Sequence, residues 1–124
     1  MRLLLDTHLL LWALGSPSRL SPEVREQLDA AEVFVSAASI WEISIKSSLG
    51  KLEADPARVL SALAPAGFAL LPVHGEHAAM VARLPPIHRD PFDRLLVAQA
   101  ISEPMRLFTR DAPLRAYGSL VTVV

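Results

Sequence analysis

A chain of 124 residues has the usual size of one domain and can bury a core without covalent staples. Its hydrophobic content is 52%, yet no apolar run approaches the roughly 20 residues of a membrane-spanning helix, and Met1-Arg2-Leu3-Leu4-Leu5 meets Asp6 too soon for a signal peptide, so a soluble, cytoplasmic protein is expected. The absence of cysteine excludes disulfides and thiolate zinc sites and leaves His, Asp and Glu as the strong side-chain metal ligands, so that a metal held by carboxylates is expected to be a hard cation, while a formal net charge of −1 does not by itself announce a nucleic-acid binder.

In chain order, Leu3-Leu4-Leu5 suits a strand buried on both faces, with Asp6 at its carboxyl end. A helix follows from Thr7 to about Leu14, closed by Gly15 and Ser16-Pro17. Ser21-Pro22 is an N-cap followed by proline at the first helical position, opening a helix with Val24 and Leu28 inward. Val33-Phe34-Val35 is a second strand. Ala37 to Leu49 reads as a helix with Trp41, Ile45 and Leu49 at spacings of four, Glu42 in its middle and Gly50 as its stop. Asp55-Pro56 opens another helix through Val59, Leu60 and Leu63. Phe68 to Leu71 forms a short strand, and Glu76 to Leu84 a helix ended by Pro85-Pro86. Asp90-Pro91 starts the helix of Leu95, Leu96 and Ala98. Leu107-Phe108-Thr109 is a strand delivering Asp111, and Leu120 to Val124 is a closing strand. This alternation predicts an α/β fold with a mostly parallel central sheet flanked by helices on both faces, which binds ligands beyond the carboxyl ends of its strands. Asp6 and Asp111 fall at such ends.

Each acid also has a structural reading. Asp90 is an N-cap before Pro91, whereas Asp93 is one carbon shorter than the Glu or Gln that usually closes a capping box, which favours a functional role. Glu42 has Lys46 four residues on, the spacing of a helical ion pair, but shares a face with the small residues Ala38 and Ser39 and with apolar Ile45 and Leu49, which suggests a partly buried surface. Asp6 and Asp111 can each cap the helix that follows. Carboxylates aimed at one crevice repel one another and raise their own pKa values, and a divalent cation relieves that repulsion; oxygen donors suit Mg²⁺ or Mn²⁺. His74 and His77 read as loop or surface residues, and His88-Arg89 as the rim of the acidic site. Trp12 and Trp41 read as core.

With those residues in view, the chain resembles the PIN-domain family over its whole length, residues 1–124, and within it the VapC-type toxins of bacterial toxin-antitoxin pairs. The resemblance is carried by Leu4-Leu5-Asp6-Thr7-His8, by Val35-Ser36-Ala37-Ala38-Ser39-Ile40-Trp41-Glu42-Ile43, by His88-Arg89-Asp90-Pro91-Phe92-Asp93-Arg94-Leu95-Leu96, and by Thr109-Arg110-Asp111. It implies a PIN-like fold and metal ligands at Asp6, Glu42, Asp93 and Asp111, with Asp90 a neighbouring acid. His8 departs from the Asn that many members carry after Asp-Thr. Thr7 and Thr109 are expected as supporting hydroxyls, and Lys46, Arg89, Arg94 and Arg110 as candidate contacts to RNA phosphates.

The expected reaction is magnesium-dependent hydrolysis of RNA, by the toxin of a toxin-antitoxin pair. A homodimer and a cognate antitoxin with a groove-binding tail are the expected partners, and no membrane is involved. One alternative is a phosphatase with Asp6 as nucleophile, disfavoured because no acid stands two residues after Asp6 and no lysine is evident at the later sheet edge. Another is a binding module whose acids hold a structural cation or dock a basic peptide.

Overall fold

The computed structural model describes residues 1–124. Five strands, β1 (Arg2–Leu5), β2 (Glu32–Ser36), β3 (Phe68–Leu71), β4 (Arg106–Thr109) and β5 (Val121–Val123), form one sheet in the order β3-β2-β1-β4-β5. Every neighbouring pair is parallel. The helices are α1 (Thr7–Gly15), α2 (Pro22–Ala30), α3 (Ala37–Ser48), α4 (Pro56–Ala62), α5 (Gly75–Met80) and α6 (Pro91–Ser102). Three 3₁₀ turns, Pro17–Arg19, Val81–Arg83 and Ala112–Tyr117, complete the chain.

The strand period of two divides the core. Leu3 and Leu5 of β1 point to one face, where they join Leu9, Leu20, Val24, Leu28, Val33 and Phe108. Leu4 points to the other, with Leu96, Val97, Ala100, Leu107 and Leu114. A third cluster, Leu10, Val35, Ile43, Val59 and Leu63, seats α3 and α4 against α1 and β2. Register carries the pattern across the sheet: Leu4 lies opposite Leu107, and Leu5 lies opposite both Val35 and Phe108. Order reverses at β1, since the chain leaves it toward β2 on one side and reaches β4 on the other. That places a crevice between the carboxyl ends of β1 and β4.

Caps set the helix starts as the sequence suggests. Asp6 Oδ1 accepts the Leu9 N–H, Ser21 Oγ accepts that of Val24, and Asp90 Oδ1 accepts those of Phe92 and Asp93. At the end of α3, Gly50 takes φ +70°. The Lys51 N–H then reaches the Lys46 carbonyl at 2.9 Å and the Gly50 N–H that of Ser47 at 3.1 Å, a Schellman closure that aims Lys51 back toward the crevice. No helix is long and apolar enough to cross a membrane.

Four expectations need correction. The helix expected from Glu76 to Leu84 is α-helical only to Met80 and tightens into a 3₁₀ turn before the two prolines. Trp41 is not core: it is 61% exposed, as is Leu49, and the buried face of α3 is Ala38, Ser39, Glu42 and Ile43. Trp12 is half-buried, with the Arg110 guanidinium 4.7 Å and that of Arg19 5.5 Å from its ring. His77, expected at the surface, is 1% exposed. Its Nδ1 accepts the His74 N–H at 3.0 Å and its Nε2 lies 2.7 Å from Glu103, so a buried imidazole ties α5 to the end of α6.

Candidate metal centre

A crevice of about 500 Å³ opens at the carboxyl edge of the sheet, lined by Asp6, Thr7, His8, Leu11, Glu42, Lys46, Lys51, Leu52, Asp90, Asp93, Arg110 and Asp111. It therefore brings together all four acids singled out from the sequence. Asp6 leaves β1 directly. Its Oδ1 holds the first turn of α1, while its Oδ2 accepts the Thr109 hydroxyl at 2.7 Å and the Arg110 N–H at 2.8 Å. Burial pushes the Asp6 carboxyl above its usual range, against the opposing pull of those three donors and of nearby His8. The Thr109 oxygen in turn accepts the Asp111 N–H at 3.0 Å, so one hydroxyl couples two acids.

Glu42 enters from α3, whose small inner residues Ala38 and Ser39 let the helix approach closely. Oε1 accepts the Thr7 hydroxyl at 2.7 Å and Oε2 is 2.6 Å from Lys46 Nζ. The ion pair expected four residues apart is thus present, between buried Glu42 and half-exposed Lys46. Hydrogen bonding to Glu42 holds the Lys46 ammonium above its ordinary value, aided by the charges of Asp90 and Asp93.

Asp93 projects from the first turn of α6 and has no such donor. Burial, then the charges of Asp90 and Asp111, raise its carboxyl to about 7; His88 lowers it and Glu42 adds to the rise. Asp111 does not cap the turn after β4, contrary to expectation, because its side chain accepts no N–H there. Instead its Oδ2 lies 2.7 Å from His88 Nε2. His88 Nε2 and carboxylate oxygens of Asp93 and Asp111 all fall within 4.8 Å of one another. A crowded oxygen-rich set with one carboxyl pushed toward neutrality fits a divalent cation, which would remove the repulsion.

The remaining candidates divide. Lys46 and Arg110 line the crevice, as does His8, whose exposed ring packs edge-on to Trp12 at 5.1 Å. Arg89 is exposed and is not among the lining residues. Arg94 is not available to phosphate: its guanidinium donates to the carbonyls of Val81, Pro85 and His88 and to the Tyr117 hydroxyl. Two features escaped the sequence reading. Lys51 lines the crevice without an ion-pair partner, and the Gly50-Lys51 helix stop is the signal that could have placed it. His88 sits among the acids rather than at their rim.

An α/β chain with an acidic crevice at the switch point of a parallel sheet is the class that this fold and site define. Residues 3–120 match the PIN domain, and the chain belongs to that family. No curated protein matches it in sequence. Its fold is similar to that of VapBC2 from Rickettsia felis bound to a promoter DNA fragment, at a TM-score of 0.71 and 14% identity over 100% of this chain and 98% of the other. A toxin-antitoxin complex from Klebsiella pneumoniae matches at a TM-score of 0.66 and 18% identity, over 97% and 95%. VapBC-5 from Mycobacterium tuberculosis, a member of the VapBC family of toxin-antitoxin systems, matches at a TM-score of 0.58 and 25% identity, over 99% and 97%.

The Asp93 environment has a consequence for the metal-free protein. A carboxyl raised from 3.8 to about 7 on folding contributes stability that is fully present below the unfolded value and is lost as pH rises through about 7. Asp93→Asn should therefore raise the melting temperature of metal-free protein by a few degrees at pH 8, with the gain fading toward pH 5. Calorimetry in chelator across that range checks this; an equal shift at both ends would contradict it.

Proposed function

We propose that residues 1–124 form one PIN domain that acts in the cytoplasm as a magnesium-dependent endoribonuclease, the toxin of a toxin-antitoxin pair. RNA phosphodiester hydrolysis is assigned to the crevice, with Asp6, Glu42, Asp93 and Asp111 as metal ligands. The observation that carries this reading is the meeting of these four acids at one sheet edge, with the Asp93 carboxyl driven up by its neighbours. Oxygen donors favour Mg²⁺ or Mn²⁺. When bound, such a cation would lower the pKa of a coordinated water and neutralise charge on the scissile phosphate.

The chain's own groups do the rest. Thr109 and the Arg110 N–H orient Asp6, and Thr7 and Lys46 orient Glu42. Lys46, Lys51 and Arg110 flank the acids and are assigned to backbone phosphates on either side of the cut. Asp90, whose oxygen caps α6, sets the direction of Asp93.

Asp93→Asn is the sharper test of catalysis. Asn at position 6 could not accept three donors and would disturb the fold along with the chemistry. Asp93→Asn should reduce magnesium-dependent cleavage of cellular RNA by at least about 100-fold, the upper end for loss of a mere supporting contact to a metal ligand, while circular dichroism stays unchanged. A binding module would have no magnesium-dependent cleavage to lose.

The antitoxin assignment is supported by likeness to VapBC complexes and by a second groove, lined by Leu11, Trp12, Leu14, Leu52 and Val59, that runs on from the crevice through His8, Leu11 and Leu52. A tail ordering in that groove could place an Arg or Lys against the acids. Co-expression with the adjacent open reading frame should yield a complex, and one that cut RNA as fast as the free chain would overturn this assignment. For the homodimer, the support is exposed Trp41 packed edge-on against half-buried Phe92, with ring centroids 5.2 Å apart across α3 and α6. Sedimentation at micromolar concentration should give twice the chain mass, and Trp41→Glu should shift it to monomer; a wild-type monomer would sink the proposal.

A further inference from the structure

His88 lies in the loop before α6, and both of its ring nitrogens are engaged. Nδ1 is 3.0 Å from the Asp90 backbone N–H, a group that can only donate. Nδ1 must therefore carry the lone pair. In the neutral ring the proton then resides on Nε2, which is 2.7 Å from Asp111 Oδ2 and 3.7 Å from Asp93 Oδ2. An imidazole that ligates a metal through Nε2 needs the opposite arrangement, with the lone pair at Nε2 and an acceptor facing an Nδ1 proton. Here the partner at Nδ1 is a peptide N–H, and no change of protonation turns it into an acceptor.

The loop is held in place from several directions. The His88 N–H donates to the Tyr117 hydroxyl at 3.0 Å, and Arg94 donates to that hydroxyl at 3.2 Å and to the His88 carbonyl at 3.4 Å. Helix α6, its cap and the turn after β4 thus all fix one ring.

From this geometry we infer that His88 is a positioning residue: its Nε2–H holds the Asp111 carboxylate beside Asp93, and the ring does not itself ligate the cation. The inference rests on the reading of the crevice as a divalent-cation site and deepens it, because it leaves carboxylate oxygens as the side-chain ligands and so favours hard cations.

Two measurements on the full chain test it. Long-range ¹H–¹⁵N correlation of the metal-free protein at pH 8 should show the His88 proton on Nε2; a ring protonated on Nδ1 overturns the inference. Mn²⁺ alone, titrated and followed by electron paramagnetic resonance, should bind without the nitrogen coupling of a directly ligated imidazole. His88→Ala should weaken Mn²⁺ binding by roughly 10- to 100-fold, the range for loss of a contact behind a metal ligand. His88→Gln, which keeps an N–H donor at the reach of Nε2, should recover much of that loss. Nitrogen coupling in the wild type that disappears in His88→Ala would overturn the positioning role alone. A wild-type protein that binds no Mn²⁺ would overturn the cation reading, and this role with it.

Discussion

The Asp6 carboxylate joins three parts of the chain: through Oδ1 it starts α1, and through Oδ2 it accepts the Thr109 hydroxyl and the Arg110 N–H just past β4. Both strands that border the crevice are therefore locked at their carboxyl ends by one buried acid. Thr109 passes the constraint on, since its oxygen accepts the Asp111 N–H. Burying a carboxylate is unfavourable unless donors surround it, and here three do, although burial still leaves its pKa raised. Placement of the acidic site and closure of the sheet are thus one problem with one solution. An Asp at this position serves the fold whether or not a cation is bound.

Glu42 shows the same coupling on the neighbouring helix. Its two oxygens are matched by Thr7 and Lys46, the first from α1 and the second one turn along α3. The helix can bring an acid this far in because Ala38 and Ser39 occupy the inner face, where larger side chains would hold it away from the sheet. Apolar bulk is displaced outward as a result, and Trp41 sits over Phe92 at the surface.

That displacement explains where sequence reasoning succeeded and where it did not. Strands were legible because buried parallel strands are short uninterrupted apolar runs, and the caps Asp6, Ser21 and Asp90 were legible because capping is local. Four acids could be proposed from the blocks that contain them. Trp41 and Leu49 pointed to the wrong side of α3, whereas Ala38 and Ser39 beside Glu42 pointed to the face that packs, which Ile43 completes. Partners distant in sequence were also hidden. His77 finds Glu103, and Arg94 finds Tyr117, only after the sheet has brought α6 beside α5 and the final turn. Composition suggested an exposed histidine and a free arginine; tertiary contacts made both structural.

Arg94 also bears on the charge balance of the crevice. It follows Asp93 directly and would neutralise the acids if its guanidinium turned inward. Instead it is fully engaged by the carbonyls of Val81, Pro85 and His88 and by Tyr117. Lys46 is paired with Glu42, and Arg110 reaches the Val124 carbonyl and the Trp12 ring. Of the lysines and arginine lining the crevice only Lys51 lacks a partner, while Asp90, Asp93 and Asp111 face one another, with His88 beside the last two and the Lys46 ammonium under the influence of the first two. The loop that leads into Asp90 and Asp93 is clamped from behind by Arg94 and Tyr117, which hold the His88 backbone. Rigidity supplied at a distance allows negative charge to stay concentrated where a cation can meet it, which a chain selected for stability alone would have had no reason to preserve.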